Sequence, residues 1–151
     1  AGWIDPGLNF RRRRIQASQV DSSLAPLAVD WLSGCSLILC PTAHQPPARF
    51  DPAYPLYYED LDLSRRLAAS GAPLLWLPAP ELGHQRGEGS RTPSSRRLHL
   101  STRSYCRYLH QHCARWVQVV RLLRLGLTAL LRLPLQPRRG WAVLSGIRVA
   151  G

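Results

Sequence analysis

The spacing of apolar residues changes along this chain, and proline and glycine mark most of the changes. From Leu61 to Ser70 the spacing is helical: Leu63 and Leu67 lie four apart on one face, and Gly71 stands where a C-cap belongs. Leu74 to Leu77 reads as a strand closed by Pro78 and Pro80. Within VDWLSGCSLILC, the run Ser36 to Cys40 predicts a short buried strand stopped by Pro41, and Pro46-Pro47 marks a loop. Tyr54 to Tyr58 is aromatic and extended, residues 83–97 form a Gly/Ser/Arg/Pro loop, and residues 1–28 are irregular with a turn at Asp5-Pro6-Gly7. A helical pattern resumes near Leu98 and runs through Val120. From Arg115 to Leu133 the polar positions Arg115, Gln118, Arg121, Arg124, Thr128 and Arg132 recur every three or four residues. They make one stripe on a helix whose remaining arc is apolar. Pro134 and Pro137 are expected to end it. No internal repeat is present.

Composition changes this picture in two ways. With 45% hydrophobic residues the 151-residue chain can build a core, so disorder by composition is excluded. Every one of the 20 basic residues is arginine, against 9 acids, which gives a net charge of +11 and suits anionic partners. Base composition of the coding sequence explains the missing lysines as well as selection does, but not the net charge. Methionine is absent, position 1 included, and the expectation is a trimmed or truncated chain. The cysteines Cys35, Cys40, Cys106 and Cys113 form no CxxC pair, nothing reads as a signal peptide, and no apolar run is long enough to span a bilayer. A reduced, cytoplasmic setting is the default.

The densest chemistry is Tyr57-Tyr58-Glu59-Asp60-Leu61-Asp62-Leu63, with three carboxylates in four residues. One reading is structural. Acids at a helix N-terminus complement the macrodipole, and Asp62 pairs with Arg66 four residues on. The other is general base catalysis, in which a carboxylate takes a proton from an attacking sugar hydroxyl while Trp31, Tyr57 and Tyr58 shield it and stack on sugar faces. Spacing alone leaves both open.

The order WLSGCSLIL, then RFDPAYPLYYEDLDLSRRLAASG, then LLWLPAPELGHQRGEGS resembles the C-terminal half of the catalytic domain of family 2 glycosyltransferases, rhamnosyltransferase-like members in particular. The match covers roughly residues 29–90. Arg49 stands where that family has the glycine of G-F-D, and the first aromatic before the acidic motif is replaced in Pro55-Leu56. No D-x-D precedes the motif; Asp60-x-Asp62 lies inside it.

The resemblance implies an α/β fold, the acceptor-side half of a GT-A domain with a C-terminal helical tail. It divides the chain into an irregular segment 1–28, an acceptor-side portion 29–97 and a helical tail 98–151. It makes Asp60 the base and Glu59 its positioning or acceptor-binding neighbour. Trp31, Gly34, Tyr57, Tyr58, Asp62, Arg66, Gly89 and Ser90 fall at acceptor or substrate positions, Asp62 and Arg66 being mostly structural. His84 is placed as a metal ligand or beside the diphosphate. The implied function is inverting transfer from a nucleotide-sugar to a glycan or lipid-linked acceptor, with Mn or Mg in the full-length protein and none in this chain alone. The competing class is a non-enzymatic membrane-surface or scaffold module, a degenerate remnant of the same family.

Three further signals are weaker. Cys106, His110 and Cys113, with His99 and His112 nearby, suit a zinc site or one buried helix face. The Arg11–Arg14 run is a solvated loop or an anion patch. The 115–133 helix packs on another domain or lies in an anionic membrane interface, which would place the protein at the inner face of the plasma membrane. No nucleic-acid motif interleaves aromatics with the arginines, so nucleic acid is not an expected partner.

Overall fold

The computed structural model describes residues 25–40, 48–78 and 94–150. Their elements run β1 (Leu27–Ala28), α1 (Glu59–Ala69), β2 (Leu75–Trp76), α2 (Ser94–His112), α3 (Arg115–Arg132) and α4 (Pro137–Ala150). The described part is mostly helical, with one small antiparallel sheet pairing Leu27 with Trp76 and Ala28 with Leu75. The chain falls into two units, one built around α1 and the sheet, the other around α2 to α4 with residues 52–59.

In the first unit α1 starts where the sequence turns acidic and carries Arg66 in its last turn, so both ends complement the dipole. Leu63 and Leu67 bury against Ala72 and Leu74, with Val29, Leu32, Leu39 and Ala48 packed around them. The helix ends in a Schellman motif. Gly71 is left-handed at φ 80°, its N–H reaches Ala68 O at 3.1 Å, and Ala72 N–H reaches Leu67 O at 3.0 Å. The expected strand at Ser36–Cys40 does not form. That run is irregular, and Ile38 is 83% exposed. The sheet partner of β2 is the Leu27–Ala28 pair instead, extended by Val29 N–H to Leu74 O at 2.9 Å.

In the second unit the helical pattern expected from Leu98 to Val120 is two helices. Ala114 is extended between them (φ −61°, ψ 148°), and the Gln118 side chain donates to Cys113 O at 2.9 Å. Pro137 opens α4 rather than closing α3, as proline at a first helical position does. Helix α4 packs on both α2 and α3. Its glycines are what permits the approach. A Cβ at Gly146 would sit 2.8 Å from His99 O of α2, and one at Gly140 would sit 2.9 Å from Ala129 O of α3. His99 Nδ1 and Ser145 Oγ, 2.8 Å apart, add a polar link between α2 and α4.

Candidate functional site

Asp60 stands in the first turn of α1, half-buried. Both of its carboxylate oxygens are held by backbone: Oδ1 accepts Leu61 N–H at 2.8 Å and Oδ2 accepts Gly34 N–H at 3.1 Å. A second contact lies one turn along, where Leu32 N–H donates to Ser64 Oγ at 3.3 Å. Residues 34 and 32 thus lie against residues 60 and 64, one turn apart on α1. Gly34 is the close-approach point: a Cβ there would lie 3.4 Å from Asp60 Cβ and 3.5 Å from Phe50 Cζ. Ser64, 2% exposed, carries no motif in the sequence; its i, i+4 relation to Asp60 is the one available signal.

Asp62 points the other way. It is 2% exposed and pairs with Arg66 Nε at 2.8 Å. Arg66 also donates to Arg49 O at 2.7 Å, tying the segment before the aromatic run to the helix. Trp31 is half-buried, and its indole N–H has no acceptor among the described residues.

Tyr57 and Tyr58 are both left-handed, at φ 62° and 69°, and neither is glycine. Two such residues in succession store backbone strain of the kind that clusters at functional segments. They belong with the helical unit. There Tyr58 stacks at 5.5 Å from Tyr105 and 5.7 Å from Tyr108, while Tyr57 stays 52% exposed. Tyr54 bonds to Gln111 and lies under the Arg107 guanidinium at 5.5 Å, and Leu56 N–H donates to Ser104 Oγ at 3.3 Å. Glu59 is half-buried, counts with this unit, and directly precedes Asp60 in the chain.

The cysteine–histidine spacing on α2 does not make a metal site. Cys106 is buried, His110 is exposed, Cys113 lies past the helix end, and His112 packs on Tyr108 at 4.9 Å. Burial pushes the Cys106 thiol up to about 11. Among the described residues no group of three His, Cys, Asp or Glu side chains could hold a metal ion. His84, Gly89, Ser90 and Arg11–Arg14 lie outside the described residues. A groove of about 480 Å³ lined by Ser94, Ser95, Gln136, Pro137, Arg138 and Arg139 contains none of the residues singled out above.

No family model matches the chain, and no solved structure matches it significantly. Two curated proteins do, both named N-acetylglucosaminyl-diphospho-decaprenol L-rhamnosyltransferase, from two strains of Mycobacterium tuberculosis (CDC 1551 / Oshkosh and ATCC 25618 / H37Rv). Each is 28% identical over 122 residues, covering 80% of this chain and 38% of the relative. The chain thus spans well under half the length of the proteins it matches, and it is a distant homologue of a mycobacterial rhamnosyltransferase.

Proposed function

We propose that this chain is the acceptor-side part of a GT-A, family 2 glycosyltransferase that moves a sugar from a nucleotide-sugar to a glycan or lipid-linked acceptor with inversion, and that Asp60 is its general base. The observation that carries the reading is the Asp60 carboxylate, held by one backbone N–H on each oxygen and left half-exposed. A carboxylate accepts about four hydrogen bonds, so lone pairs remain for a hydroxyl proton while the two backbone bonds fix where they point. The acceptor oxygen would bond to the sugar's anomeric carbon as the bond from that carbon to the diphosphate breaks. The proton passes to Asp60 and the nucleoside diphosphate leaves with the bonding pair. Gly34 and Ser64 position the base, and Glu59 is the neighbouring carboxylate that binds or orients the acceptor.

Homology to proteins whose name specifies a diphospho-decaprenol acceptor supports a lipid-linked acceptor class. An acceptor of that class would place the protein peripherally at the cytoplasmic face of a membrane. Among the described residues no helix is long and apolar enough to cross one. In the full-length protein a divalent metal, Mn or Mg, would offset the charge of the leaving diphosphate, with His84 as its candidate ligand.

The test is Asp60→Asn in a full-length enzyme carrying this segment. The amide keeps the shape and loses the basicity. We expect kcat to fall by about 10²–10⁴-fold, as for loss of a general base, with the donor KM unchanged. Near-normal turnover in Asp60→Asn together with a large loss in Glu59→Gln would exchange the two roles. No loss in either would leave an acidic helix start and nothing more.

A further inference from the structure

Helix α3 is turned the wrong way for a helix in water. Its buried residues are Val117 and Ala129, and the polar positions Gln118, Arg121 and Thr128 are half-buried on that same side. The outer face carries Trp116, Val119, Val120, Leu123, Leu127, Leu130 and Leu131, all more than half exposed. At 100° per residue these positions fall within about 120° of one another, a continuous stripe from the first turn to the last. Leu135, just past the helix end, is 86% exposed. A patch of this length is too large to leave in water without a partner.

The charge says which partner. Residues 94–150 contain eleven arginines and no Asp or Glu, whereas the rest of the chain has nine arginines and nine acids. The entire net charge of +11 therefore belongs to the segment that bears the apolar stripe. Arg115, Arg124 and Arg132 are exposed at the beginning, middle and end of α3, and Arg138, Arg139 and Arg148 are exposed on α4. Apolar side chains in a stripe, a tryptophan at one end and a cationic surround with no acids are the requirements for lying in the headgroup region of an anionic bilayer. A second copy of this chain would bring the same unbalanced charge against itself.

We propose that the outer face of α3 lies in an anionic lipid interface, with Trp116, Leu123, Leu127 and Leu131 entering the acyl boundary and the arginines at the headgroup phosphates. This goes beyond the catalytic reading and does not depend on Asp60. Vesicles free of any glycolipid acceptor test it, so its failure and the failure of that reading are separable.

The experiment uses the whole 151-residue chain. It should cosediment with phosphatidylglycerol–phosphatidylcholine vesicles and at least about tenfold less with phosphatidylcholine alone, and salt should weaken the binding. Brominated lipids should quench tryptophan emission, and Trp116→Phe should remove most of the quenching. Leu123→Glu with Leu127→Glu should cut partitioning at least about tenfold without lowering the melting temperature, since both side chains are solvent-exposed. Undiminished binding by that variant would mean charge alone holds the chain, and would overturn the proposal. So would equal binding to both vesicle types, or a dimer in solution that the variant converts to monomer. Should the double variant fail to fold, quenching of the unmodified chain still decides: its absence with bound vesicles would overturn the proposal.

Discussion

At the scale of single residues, two neighbouring aspartates in one helix take opposite environments. Asp60 is half-exposed and held by backbone amides, while Asp62 is sealed and paired with Arg66. Removing one member of a buried pair leaves the other charge uncompensated, which typically costs about 3–5 kcal/mol. Arg66 is 38% exposed at its side chain and can recover water when Asp62 is removed, whereas Asp62, at 2%, cannot when Arg66 is removed, so the loss of Asp62 should cost less. Arg66→Met should therefore lower the urea midpoint clearly more than Asp62→Ala does, with the slope unchanged. Equal midpoints would mean that the pair adds little and that Asp62 is held by its other contacts. The i, i+4 pairing of these two residues is legible in the sequence. The meeting of Asp60 with Gly34 is not, because a backbone amide donor 26 residues away has no signature in residue type. Ser64 is hidden for the same reason: a buried hydroxyl serving a distant N–H looks like any helical serine.

At the scale of elements, what is legible in the sequence follows local rules and what is hidden depends on tertiary partners. Leu63, Leu67 and Gly71 announce α1 and its end, and Leu74–Leu77 contains β2. Ser36–Cys40 has the apolar composition of a strand but meets no partner strand among the described residues, so composition misleads. β1 is two residues long and carries no periodicity to detect. Proline at 137 reads as a stop because a stop and a first-turn proline look alike until the following residues are seen to wind. Gly71 offers a direct test. A Cβ there meets nothing within 4 Å, so any cost of Gly71→Ala is conformational, and a left-handed L-residue costs about 1–2 kcal/mol. The expected result is a melting temperature lowered by several degrees, with Gly71→Asn lowered less, since asparagine tolerates this region. Identical melting of wild type and Gly71→Ala would show that the Schellman turn relaxes at no cost.

At the scale of the whole molecule, the chain matches just over a third of its relatives' length, and its described residues include no metal-ligand cluster. The resemblance puts the nucleotide-sugar half upstream of the acidic motif. Calorimetric titration of the 151-residue chain with UDP-, GDP- and dTDP-sugars in the presence of manganese should therefore be flat. Saturable binding at micromolar concentration would place a donor site within this segment and would redirect attention to the groove between Ser94 and Arg139.

The arginine-only charge of the helical unit has a consequence for regulation. Residues 94–150 carry eleven arginines and no lysine, and no Asp or Glu stands among them. A surface built this way offers no ε-amine for acetylation to neutralise. Adhesion through it would respond to ionic strength and lipid composition but not to the lysine modification that detaches many peripheral proteins. The cell's means of adjusting it would lie in the membrane rather than in the protein.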